Sequence, residues 1–152
     1  MTAFGDDMTD ELDDALHAQI VQLTDTGNRI CEEGGDLRAA IAAYQDALDL
    51  LPPPVERWEA ASWILTALGD CHFLLGEHVR AHELLTRAMR VPGALGTGFI
   101  HLRLGQVQLE LGNTARAADE LARAYMAEGR ELFADEDPKY YAFLRTRLRG
   151  LD

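Results

Sequence analysis

Lysine is nearly missing from this chain: Lys139 is the single one among fourteen basic residues, set against 26 acids, for a formal net charge of −12. Such a balance gives no positive footprint for a phosphate backbone or an anionic bilayer, so neither nucleic acid nor membrane is an expected partner and a basic protein fits better. There are only two cysteines, too few for a disulfide framework. No apolar run approaches transmembrane length. The opening "MTAFGDDMTDELDD" has neither the basic start nor the apolar stretch of a secretory signal, which makes the cytoplasm the expected location. Phosphate-loop and dinucleotide glycine patterns are missing. No pair of carboxylates stands out from the acidic background, and no Cys–His pair has nucleophile spacing. The expectation is therefore no catalytic residue, no cofactor and no enzyme.

The 152 residues suit one domain, and the 47% apolar content can fill its core. Charge is uneven along the chain. Residues 1–36 hold ten acids and one base, Arg29, whereas residues 138–152 hold Lys139, Arg145, Arg147 and Arg149 against Asp152 alone. Residues 1–8, small, polar and acidic, are expected to be disordered, with a single domain over 9–152.

An internal repeat organises that domain. Gly69, Gly76, Ala81 and Ala88 recur 36 residues later as Gly105, Gly112, Ala117 and Ala124. The flanks follow, "LGDCHFLLGEHVRAHELLTRAM" against "LGQVQLELGNTARAADELARAY". A fainter copy lies 41 residues upstream of the first, with Gly35, Ala40 and Ala47 in the slots of Gly76, Ala81 and Ala88. Each copy has the pattern of a helical hairpin. Apolar residues recur at helical period, and Gly76 and Gly112 stop the first helix where positive φ costs glycine nothing. Glu77 and Asn113 begin the second helix. Gly69 and Ala81 are small because two helices cross there. Pro52 to Pro54 and Pro92 fall where a copy ends. Asp137 and Pro138 mark the N-cap and first position of a final helix over about 138–149, which would cover the bare side of the last hairpin.

At these residues the chain resembles the tetratricopeptide repeat family. Leu68, Gly69, His72, Ala81, Leu85 and Ala88 occupy the slots of its large and small signature residues. The resemblance implies an all-α fold: three hairpins (about 21–54, 60–93 and 96–129) stacked as a right-handed superhelix with a C-terminal capping helix. In this frame the first copy is degenerate, with Asn28 and Cys31 in first-helix slots.

The stretch "GDCHFLLGEHVRAHE" tests the enzymatic alternative. His78 and His82 share a helix face, as zinc pairs do, but no third ligand stands in register, so no metal is expected. His72 and Cys71 fill packed slots of the repeat, and Cys31 is read in the same way, as an inert thiol.

By the same resemblance, first helices line a concave face and second helices form the outside. Groove-facing residues would then be Arg29 and Glu32 in the first copy, Trp63, Thr66, Asp70 and Phe73 in the second, and Phe99, Leu102, Arg103, Gln106 and Glu110 in the third. Trp63 and Phe99 occupy matched slots and suit anchoring of a peptide or helix. The clamp with which some family members hold acidic chaperone tails is not matched, since Asp25, Arg29, Ala67, Phe99 and Arg103 leave only Arg103 of the right type. These features point to a non-enzymatic module, monomeric or weakly dimeric, that holds one protein or peptide partner. The D-P-K-Y helix is similar to the ends of short acidic bacterial repeat proteins encoded beside toxin genes. That likeness implies an immunity protein, with an escort chaperone as the companion reading. A scaffold or self-assembling subunit is the alternative, and a His/Cys metal enzyme the remaining one.

Overall fold

The computed structural model describes residues 12–93 and 98–151; the expected disordered stretch 1–8 lies outside them. Among the described residues there are seven α-helices and no strand. They are α1 (Asp14–Glu32), α2 (Leu37–Asp49), α3 (Glu59–Leu74), α4 (His78–Met89), α5 (Gly98–Glu110), α6 (Thr114–Glu128) and α7 (Pro138–Arg145). No helix is long and apolar enough to cross a membrane among the described residues.

The helices pair as three antiparallel hairpins, α1 with α2, α3 with α4 and α5 with α6. Second helices join each hairpin to the next, α2 on α3 and α4 on α5. One apolar cluster runs through this stack, from Ile20 and Tyr44 through Ile64, Leu68 and Leu85 to Ile100 and Val107. The hairpins close tightly because glycine stands at each crossing. A Cβ on Gly69 would lie 2.6 Å from Leu85, and one on Gly105 would lie 2.6 Å from Leu121.

Each first helix ends in the same turn. Gly76 has φ +79° and Gly112 φ +85°. The following amide reaches five residues back: Glu77 N–H donates to the His72 carbonyl at 2.8 Å, and Asn113 N–H to the Gln108 carbonyl at 2.8 Å. These bonds satisfy carbonyls that the helix end would otherwise orphan. The same residues then cap the second helices, but not with their side chains. Glu77 Oε1 lies 2.7 Å from His72 Nδ1, and Asn113 Nδ2 donates to Gln108 Oε1 at 2.7 Å. The clasp across the turn thus repeats with the frame.

The first hairpin corrects the frame drawn from sequence. Its left-handed glycine is Gly34, φ +70°, and Gly35 N–H makes the reaching bond to the Ile30 carbonyl at 2.8 Å. Capping then falls to a further residue, Asp36, whose side chain accepts from Arg38 N–H at 2.9 Å. The turn is one residue longer than in the other hairpins. The offset to the second copy is therefore 42 within α1 and 41 within α2. Gly27, not Asn28, takes the crossing slot of Gly69, and a Cβ there would lie 2.7 Å from the Tyr44 ring. In this register the first copy keeps its small residue.

The C-terminal segment builds a second cluster. Phe133 and Leu144 join Leu102, Leu121 and Ala124, with Tyr125, Tyr141, Phe143 and Leu148 packed around them. Asp137 caps α7 by accepting from Lys139 N–H at 2.9 Å, with Pro138 in the first turn. The helix ends at Arg145, short of the expected 149. Thr146 Oγ1 bonds the Phe143 carbonyl at 2.6 Å, and Arg147 turns its guanidinium over the Phe143 ring at 4.8 Å. A side chain competing for a terminal carbonyl favours a stop there.

Candidate functional site

The concave face is divided. Its open part is a groove of about 410 Å³ between α1, α3 and α5. Of the residues expected to face it, Glu32, Trp63, Thr66, Asp70 and Phe99 line it. Trp63 is 43% exposed, a large cost in apolar surface left in water unless something covers it. Thr66 is already satisfied within its helix, its Oγ1 donating to the Ser62 carbonyl at 2.6 Å. Arg29 does not line the groove. The longer first turn rotates α1 by one residue relative to the assumed frame, so Asn28 and Cys31 stand on the groove instead. Tyr44 reaches the floor from α2, donating to Asn28 Oδ1 at 2.5 Å. Cys31, expected to be an inert packed thiol, is exposed, whereas Cys71 is buried beneath it.

The other part of the face is filled by the chain itself. Leu102 and Gln106 have no exposed surface and Arg103 only 6%, so these three expected contact residues are not on a free surface. Arg103 is the centre of this half. Its Nε donates to Asp70 Oδ1 at 2.6 Å and its Nη1 to Gln106 Oε1 at 2.7 Å and to Glu136. Gln106 Nε2 completes the set on Glu136 Oε1 at 2.8 Å. The guanidinium lies over two rings, 5.0 Å from the Phe73 centroid and 4.8 Å from that of Phe99. Each of these contacts favours the cation, which is how a charge survives burial. One positive charge thus faces two carboxylates, leaving the neighbourhood of Arg103 net negative.

Beyond it, Tyr140 packs on Phe73 with ring centroids 6.4 Å apart and donates to Glu110 Oε2 at 2.7 Å. Lys139 Nζ sits 2.7 Å from the same oxygen. The Lys139 ammonium, and after it the Tyr140 hydroxyl, hold the Glu110 carboxyl below the usual glutamate range. A carboxyl lowered by folding contributes stability above its unfolded value and loses it as pH falls through the folded one. Acidification from about pH 5 downward should therefore loosen α7 before the hairpins melt, and Glu110→Gln should flatten that dependence. Hydrogen exchange of the α7 amides at pH 6 and pH 4 measures this. Equal protection at both values would count against the assignment.

His78 starts α4 with its ring tilted on Phe73, centroids 5.6 Å apart. Neither it nor His82 belongs to a group of three potential metal ligands among the described residues. His101, in the next hairpin, is buried with Nδ1 2.7 Å from Glu120 Oε1, a contact linking α5 to α6.

Sequence comparison finds no match among known family models and none among curated proteins. Comparison of structures finds many. The TPR-containing C-terminal domain of an FK506-binding protein of Plasmodium falciparum superposes with a TM-score of 0.69 at 14% identity, over 91% of this chain and 91% of that one. The type III secretion translocator chaperone SycD of Yersinia enterocolitica gives 0.67 at 16% identity, over 91% and 88%. The first TPR domain of Spaghetti (RPAP3), bound to the HSP90 peptide SRMEEVD, gives 0.65 at 16% identity, over 85% and 90%. At such identities the likeness speaks for architecture: the chain has the fold of the tetratricopeptide repeat domains, three stacked helical hairpins closed by a C-terminal helix.

Proposed function

We propose that the protein is a non-enzymatic binding module that holds a segment of one dedicated partner protein in the groove between α1, α3 and α5. It would serve as an escort chaperone or as the immunity protein of a toxin. The observation that carries the reading is the exposed Trp63 beside Phe99 in a groove of about 410 Å³, with Glu32 and Asp70 at its edges. An aromatic anchor in an apolar cleft with a charged rim is the usual anatomy of a binding hot spot. The SycD complex with a peptide of the translocator YopD shares this architecture, which supports the escort role. The acidic tail held by Spaghetti is a poor guide to the ligand here. The sole matching cation, Arg103, is buried and already faces Asp70 and Glu136. A partner segment with apolar residues and a basic flank fits the charge of the rim.

Trp63→Ala is expected to weaken the partner about thirtyfold or more, since truncating a central anchor costs about 2 kcal/mol or more. Titration calorimetry with the partner recovered from the native host, against an Arg80→Glu control on the outer face, provides the check. Normal binding by Trp63→Ala and loss in Arg80→Glu would move the site to the outside of the stack.

A further inference from the structure

We propose that Cys31 and Cys71 are a redox site: a dithiol that closes to a reversible disulfide and staples α1 to α3 across the floor of the groove. Three observations place it. The two thiols come from neighbouring hairpins and line the same cleft. The Cys31 thiol stands near enough to Cys71 to make ionisation of the Cys71 thiol harder. One is exposed and the other 2% exposed, so only Cys31 can meet an oxidant from solution. An accessible thiol backed by a buried one is the arrangement in which the first is oxidised and the second resolves it.

With a small-molecule disulfide as oxidant, the chemistry has two exchanges. The Cys31 thiol loses its proton, and its sulfur attacks the oxidant. The S–S bond of the oxidant breaks, one thiol leaves with the electron pair, and a mixed disulfide remains on Cys31. Cys71 then loses its proton and attacks the Cys31 sulfur, expelling the second thiol. Two protein thiols have given up two electrons and two protons, and one disulfide has become two thiols. The second exchange is the slow one. Burial, reinforced by the neighbouring Cys31 thiol and the Asp70 carboxylate, pushes the Cys71 thiol up to about 12, and a protonated thiol is a poor nucleophile. The mixed disulfide therefore accumulates first.

Closing the pair restrains the long loop between α1 and α3 in the unfolded chain, so the oxidised protein should melt roughly 5–10 °C higher. The site stands independently of partner binding, because the exchange needs no occupant in the groove. The test is incubation of the native full-length protein with oxidised glutathione, alkylation of free thiols, and peptide mass mapping over time. The expected result is a monomer that passes through glutathionylated Cys31 to a linked Cys31–Cys71 peptide pair, with the higher melting temperature reversed by dithiothreitol. Cys71→Ser should stop at the mixed disulfide, and Cys31→Ser should stay unmodified. Wild-type protein that ends as glutathionylated Cys31 with Cys71 free, or as a dimer bridged through Cys31, would overturn the proposal.

Discussion

Replacing Arg103 with methionine should destabilise the protein by about 3 kcal/mol, the usual cost of breaking a buried ion pair from one side. For a chain of this size that is a fall in melting temperature of about 10 °C. Methionine is close in volume and fills the space between Phe73 and Phe99, so lost packing is a minor part. What it cannot replace is the charge. Asp70 and Glu136 would remain on either side of the site, and Glu136, 17% exposed at its side chain, would keep Gln106 as its partner there without the guanidinium. Two like charges close together in a poorly solvated place repel, and a buried acceptor without a strong donor adds its desolvation cost.

Glu136 belongs to the segment leading into α7, so the repulsion acts on the attachment of that segment to α5. Limited proteolysis between Gly129 and Asp137 should accelerate in the variant. The triple replacement Asp70→Leu, Arg103→Met, Glu136→Leu separates charge from shape. Removing all three charges together leaves none unpaired, and well-packed apolar residues in place of a buried ionic group are often neutral or better. The triple variant should therefore recover much of the loss. An Arg103→Met protein within 1 kcal/mol of wild type in denaturant titrations would mean that the ionic centre does not hold the C-terminal segment.

The same residue shows where sequence stops being informative. The repeat frame is legible because it depends on local geometry: positive φ at Gly76 and Gly112, contact at Gly69 and Gly105, a cap and proline at Asp137 and Pro138. Each acts within a few residues of itself. The fate of Arg103 depends on Asp70 and Glu136, each 33 positions away, and no periodicity relates Glu136 to the hairpins. Placing Leu102, Arg103 and Gln106 on an open face followed from the repeat alone, which specifies the side of a helix and says nothing of what later chain lies on it. Even Glu110, on the same side, is engaged by Lys139 and Tyr140. The open half fared differently, because Trp63, Thr66, Asp70 and Phe99 sit in the two hairpins whose turns are the same length. Arg29 was misplaced by a single inserted glycine. The signal for the insertion was present in the doublet Gly34–Gly35 together with Gly27, since a helix with glycine at its crossing slot needs one register only.

That register makes its own prediction. Gly27→Leu should cost about 3 kcal/mol, the upper part of the range for overpacking. Leucine is a good helix former and gains backbone entropy over glycine in the middle of α1, so local propensity alone would make the change stabilising by up to about 1 kcal/mol. Packing decides the sign. The new Cβ would stand 2.7 Å from two carbons of the Tyr44 ring, and the rest of the side chain has to pass the same ring. Tyr44 is 3% exposed and tethered through its hydroxyl to Asn28, so it cannot swing away without giving up that bond and its place in the core. Separation of α1 from α2 is the remaining way to relieve the clash, at the expense of the contacts of Ile20 and Ala40. Asn28→Leu is the control, one position along the same helix. It loses the bond to Tyr44 but meets the groove rather than a facing helix, and should cost about 1 kcal/mol. Thermal melts of the two variants order them. If Asn28→Leu proves the more damaging, the first hairpin keeps the uniform 41-residue offset, and the groove positions on α1 return to Arg29 and Glu32.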